Sequence, residues 1–182
     1  MTNMTLLAVL LAVSVWMFEL PQTQTPPDVG AQAPVFRDPF TLKLRVDSER
    51  YYEEHFDKIP YVEKDDVYLF SGETFGINAT IAGDEISGVT YQKNATKADV
   101  EFKFTQELND NKAMMTLVVR NKLKHRLFYD ALMTVPEKKE IYKTSVLPVE
   151  PGLFNVESWP HPIVQLVLRH FRFSDKVPKA KK

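Results

Sequence analysis

The 182-residue chain contains no cysteine. That absence excludes disulfide frameworks, thiolate zinc sites, thiol nucleophiles and a lipidated N-terminal cysteine. Charge of one sign is also missing: 23 Lys and Arg stand against 24 Asp and Glu, a formal net charge of −1. A globally basic nucleic-acid binder is thereby excluded. The glycines at 30, 72, 76, 83, 88 and 152 form neither a phosphate-cradling loop nor a dinucleotide fingerprint, and no Gly-x-Ser-x-Gly elbow occurs. Of the four histidines, 55, 125, 161 and 170, no two stand at the i, i+2 or i, i+4 spacing that aims two imidazoles at one metal. No motif implies a metal or any other cofactor.

What the chain does have is 44% hydrophobic and 12% aromatic residues, the composition of one globular domain with a short appendage. Residues Met4 to Phe18 are an uncharged apolar run with no polar face at helical period. As a helix this run would reach ~22 Å, or ~26 Å with Glu19 and Leu20, short of the ~30 Å hydrocarbon core. Residues 1–20 read as a signal peptide or as an N-terminal membrane anchor, with membrane attachment through residues 4–20 in the second case. Trp16 suits an interfacial depth, whereas Met1-Thr2-Asn3 lacks the basic residues of a signal n-region. Either reading exports the remainder, to the periplasm or to the periplasmic face of an inner membrane.

Residues 21–36 are a Pro-rich linker, semi-extended and without periodicity. Residues 175–182 form a basic tail with four lysines. Between them, residues 37–174 are dominated by period-two alternation, as in Phe40, Leu42, Leu44 and Val46, or Val100, Phe102 and Phe104. About nine strands follow, separated by turn signals such as Lys64-Asp65-Asp66, Ala82-Gly83-Asp84 and Asn94-Ala95-Thr96. One short helix is expected over Ser48 to Lys58, with Tyr51, Tyr52 and Phe56 on one side and Glu49, Glu53, Glu54 and Asp57 on the other.

Many short antiparallel strands with almost no helix predict an all-β fold, an immunoglobulin-like antiparallel β-sandwich. A closed barrel fits less well, because prolines at 148, 151, 160 and 162 chop the last third irregularly. A domain of this length can be stable without disulfides, which suits a bacterial envelope protein better than a small cystine-bridged module. The triplets Asn78-Ala79-Thr80 and Asn94-Ala95-Thr96 are glycosylation sequons that matter only in a glycosylating pathway.

Two stretches are candidates for binding. Arg120, Lys122, Lys124, His125 and Arg126 fall in one interstrand connection and predict a basic pole suited to an acidic partner, a phosphate or a glycan. In Glu157-Ser158-Trp159-Pro160-His161-Pro162, two prolines fix the backbone around His161 and set Trp159 at a rigid corner. Trp159 either contacts a ligand there or plugs the sandwich core. The expected function is a non-catalytic binding module with a protein or glycan partner in the envelope and no nucleic acid, working through these residues or through an exposed sheet edge. The alternative is a loop-based envelope enzyme or hydrolase inhibitor, with His161 beside a carboxylate as the acid/base group.

Overall fold

The computed structural model describes residues 33–109 and 112–175. The apolar segment 4–20, the linker up to residue 32 and the tail beyond Asp175 lie outside the described residues. Within them, no helix is long and apolar enough to cross a membrane.

Among the described residues, alternation becomes twelve strands: β1 Phe40–Arg45, β2 Tyr51–Phe56, β3 Val62–Glu63, β4 Asp66–Leu69, β5 Glu73–Ala82, β6 Glu85–Gln92, β7 Val100–Asn109, β8 Lys112–Asn121, β9 Phe128–Thr134, β10 Tyr142–Thr144, β11 Phe154–Trp159 and β12 Gln165–Arg172. A 3-10 turn, Ala95–Lys97, is capped by the Asn94 side chain. One five-stranded sheet runs β10-β9-β12-β4-β3 and the other β11-β8-β7-β5-β6, with every pair antiparallel. They form a sandwich-like arrangement. The shared core takes the inward residues of both, among them Phe75, Phe102, Phe104, Leu117 and Val119 from one sheet and Leu69, Ala131, Leu166 and Leu168 from the other. Each fully buried Leu or Phe of this set stabilises the fold by ~1.5–3 kcal/mol.

The expected helix over Ser48 to Lys58 is absent; its central residues are strand β2, paired with β1 from Arg45↔Tyr51 to Phe40↔Phe56. Residues four apart share a face in a helix and in a strand alike, so Tyr52 and Phe56 satisfy either period. The pairing chooses the strand, since Leu42, Leu44, Tyr52 and Phe56 then bury together against Phe70 and Val164. This hairpin also accounts for part of the excess over nine strands. β3 is only two residues long, and β11 ends in Glu157-Ser158-Trp159, residues expected to lead into the rigid corner at His161.

The β1–β2 hairpin is tied to the sandwich at two points. Gln106 of β7 accepts from the Arg45 amide at 2.7 Å and donates to the Arg45 carbonyl at 3.0 Å. At the hairpin's base, the Tyr61 N–H bonds the Val35 carbonyl and the Arg37 N–H bonds the Ile59 carbonyl. Ordered pairing therefore begins at Val35, inside the span read as linker. Arg37 itself is buried, and all five guanidinium N–H groups reach acceptors: both Glu73 carboxylate oxygens and the carbonyls of Ile59, Pro60 and Tyr68. Its plane lies 3.9 Å from the Tyr61 ring centroid.

Candidate functional site

The connection between β8 and β9 is organised by a residue that carries no charge. Asn121 is fully buried, donates to the His125 and Val149 carbonyls, and accepts from the Leu123 N–H. With these bonds made, Lys122, Lys124, His125 and Arg126 are left on the surface. Most of their charge is already answered. Lys122 pairs with Glu101 at 3.1 Å and donates to the Ala95 and Thr96 carbonyls, while Arg126 pairs with Glu150 at 2.9 Å. The His125 ring lies 4.8 Å from that of Phe173. Arg120 and Lys124 have no carboxylate in ion-pairing distance among the described residues.

Trp159 ends β11 as a core residue, 8% exposed, with its indole N–H donating to Thr144 Oγ1 at 2.8 Å. It plugs the sandwich. His161 is half-buried and, among the described residues, hydrogen-bonds only with the Pro162 carbonyl. It lines a largely apolar cavity of about 380 Å³ with Val46, Arg50, Met133, Pro136 and Tyr142. Because Arg120 pairs with Phe154 and Met115 with Trp159, the basic connection and the Trp159 corner sit at opposite ends of β8, ~17 Å apart along the strand. They do not share one surface. Two other histidines do meet carboxylates among the described residues: His170, whose Nδ1 lies 3.0 Å from Asp130 Oδ2, and His55, whose Nε2 lies 3.9 Å from Asp57 Oδ1.

Sequence reasoning missed the edge of the second sheet. The Asn121 N–H donates to the Leu153 carbonyl, which fixes the phase of the β8–β11 ladder: Asn155, Glu157 and Trp159 bond β8, while the N–H and C=O groups of Phe154, Val156 and Ser158 point away from it. These groups have no backbone partner among the described residues. On the opposite edge of the same sheet, the outward Val89 N–H of β6 donates to Asp65 Oδ1 at 2.9 Å. That carboxylate is presented by a two-residue turn in which Lys64 and Asp65 both have positive φ, 50° and 66°, as a type I′ hairpin requires.

Comparison with protein-family models, curated proteins and solved structures finds no match. Function therefore has to be argued from this geometry.

Of the outward side chains of β11, Phe154 and Val156 are apolar and Ser158 is polar. Phe154 is 51% exposed and Val156 53%, with Leu153 at 57% beside them, an apolar rim left facing water. Asn155 and Glu157 point the other way, with Trp159: Glu157 accepts from the Leu147 N–H and Asn155 donates to the Pro148 carbonyl, closing the side of the sandwich. Arg120 lies over the Phe154 ring, 5.0 Å from its centroid, and Lys103, exposed, pairs with Val118 on the next strand in. An open ladder, an apolar rim and Arg120 on the neighbouring strand thus mark one edge, while Lys103 stands two strands in, on β7. Alternation in Phe154-Asn155-Val156-Glu157 was the available sequence signal, inverted because the apolar side faces out.

Proposed function

We propose that the domain is the binding module of an exported envelope protein, and that it docks an extended, acidic segment of a partner protein along β11. The carrying observation is the unpartnered ladder at Phe154, Val156 and Ser158 beneath an apolar rim. A partner strand would add main-chain hydrogen bonds to these groups, seat apolar side chains on Phe154 and Val156, and bring a carboxylate towards Arg120. Natural edges are blunted by lysine, proline or a covering loop; here Pro151 and Pro160 flank the strand but leave its centre open. The immunoglobulin-like reading belongs to the same proposal. Its support is the crossing of the chain between sheets, with β12 inserted between β9 and β4. Export rests on the apolar segment 4–20.

The test uses Val156→Pro, which deletes an N–H that β8 does not use, and a short peptide of alternating Val and Glu as the probe. The protein should bind the peptide with amide shifts at Phe154, Val156 and Ser158, and Val156→Pro should lose at least tenfold in affinity while keeping its melting temperature. A Val/Lys peptide should bind more weakly, because Arg120 repels it. Shifts confined to other strands, or equal binding by Val156→Pro, would sink the proposal. Self-association through the same edge would replace the partner strand by a second copy and also reject it.

A further inference from the structure

A second site lies on the outer face of the other sheet, where a bulge re-aims the end of β12. The register shifts by one residue between Arg169 and Arg172, and His170 takes a positive φ of 54°. The extra residue keeps Phe171 in the core and places Arg172 on the outer side, opposite Phe128. There Arg172 donates to the His170 carbonyl at 2.8 Å and lies 3.4 Å from Asp130. A positive φ at a residue other than glycine costs ~1 kcal/mol or more, and such outliers gather where a side chain must be held for function.

Arg172 lines a cavity of about 480 Å³ with Arg126, Asp130, Lys143, Ser145 and Asp175. That volume is in the range of small-ligand sites. Its charges are unequally committed. Arg126 is paired with Glu150 and Asp130 is held between His170 and Arg172, whereas Lys143 has no carboxylate in ion-pairing distance among the described residues. Burial raises the Asp130 carboxyl, but the hydrogen bond with His170 and the charges of Arg172 and Lys143 outweigh it and hold the group below its usual range. Of the wall residues, Arg172 also carries a buried donor, Nε, with no partner among the described residues.

We propose that this cavity binds a hydroxyl-bearing organic acid the size of one sugar unit, such as a uronic acid, with its carboxylate on Lys143 and its hydroxyls on Asp130 and Ser145. With Arg126 answered by Glu150 and Arg172 by Asp130, Lys143 is the cation of the wall left to meet an anionic group. The fixed carboxylate of Asp130 and the Ser145 hydroxyl suit hydroxyl recognition, which a bare phosphate or acetate would not use. This site is separate from the β11 edge, and either can fail without the other.

The experiment titrates the full-length chain with D-glucuronate, glucose, acetate and inorganic phosphate, following amide shifts around Asp130, Lys143 and Arg172. Glucuronate should bind with the lowest Kd, and acetate and glucose at least tenfold more weakly. Lys143→Ala, at an exposed position of β10, should weaken glucuronate binding at least tenfold, and Ser145→Ala several-fold, both with unchanged melting temperature. Absence of glucuronate binding at about 10 mM would overturn the proposal. So would equal binding of acetate or phosphate, or an unaltered Kd in Lys143→Ala.

Discussion

Replacing Glu73 by Leu strands the Arg37 guanidinium inside the protein. The Arg37 side chain is 4% exposed and Glu73 19%, so water cannot take over the lost partner, and two of the five guanidinium hydrogen bonds disappear along with the acceptor of the Phe70 N–H. Breaking one side of such a buried pair costs ~3–5 kcal/mol. At about 3 °C per kcal/mol for a domain of this length, Tm should fall on the order of 10 °C. The pair Lys43–Glu53, 60% and 58% exposed, provides the contrast. Glu53→Ala should change stability by less than about 1 kcal/mol, as exposed pairs do. Urea denaturation of Glu73→Leu, Arg37→Met and the double variant completes a thermodynamic cycle. The double variant should recover at least ~2 kcal/mol relative to the sum of the single losses, because the stranded charge is gone. A coupling below ~0.5 kcal/mol, or a Glu73→Leu loss no larger than that of Glu53→Ala, would refute the clamp.

Two further outcomes follow from local geometry. A Cβ on Gly76 of β5 would stand 2.2 Å from Ala98 Cβ and 2.5 Å from the Val100 carbonyl oxygen, atoms fixed by the backbone. Gly76→Ala should therefore destabilise the domain by about 3 kcal/mol or more in urea denaturation, whereas Gly88→Ala, whose Cβ meets only Asp65 Oδ1 at 3.5 Å, should change it far less. The depressed Asp130 carboxyl gives an acid-limb prediction. Its contribution is present above the unfolded carboxylate pKa of ~4 and is lost as pH falls through the lower folded value. Stability measured from pH 5 downward should decline less steeply in Asp130→Asn than in the parent, and identical slopes would contradict the assignment.

How much of this was readable in the sequence depended on distance along the chain. The alternation of Val100, Phe102 and Phe104 reports core-facing positions directly, and β7 lies where it predicts. Turn chemistry was equally local, as Lys64-Asp65 and the Asn94 cap confirm. Strand β2 was misread because its aromatic spacing serves two periods, and only its pairing with β1 decides between them. The basic connection was legible as a list of charges, but Glu101 and Glu150, which answer Lys122 and Arg126, come from other strands. Arg37 and Glu73 are likewise 36 residues apart. β11 is local and yet hard to read, because Phe154 and Val156 face out while Asn155 and Glu157 face in beside the buried Trp159. The rule that places apolar residues inside hides such a strand.

The most direct test of the account is residue-by-residue amide hydrogen exchange along β11 in the free protein. The account predicts alternation: Asn155, Glu157 and Trp159, bonded to β8, should be protected, and Phe154, Val156 and Ser158 should exchange at rates near those of an open chain. Uniform protection across the strand would mean that the edge is already covered, and would contradict the docking site on which the proposed function rests.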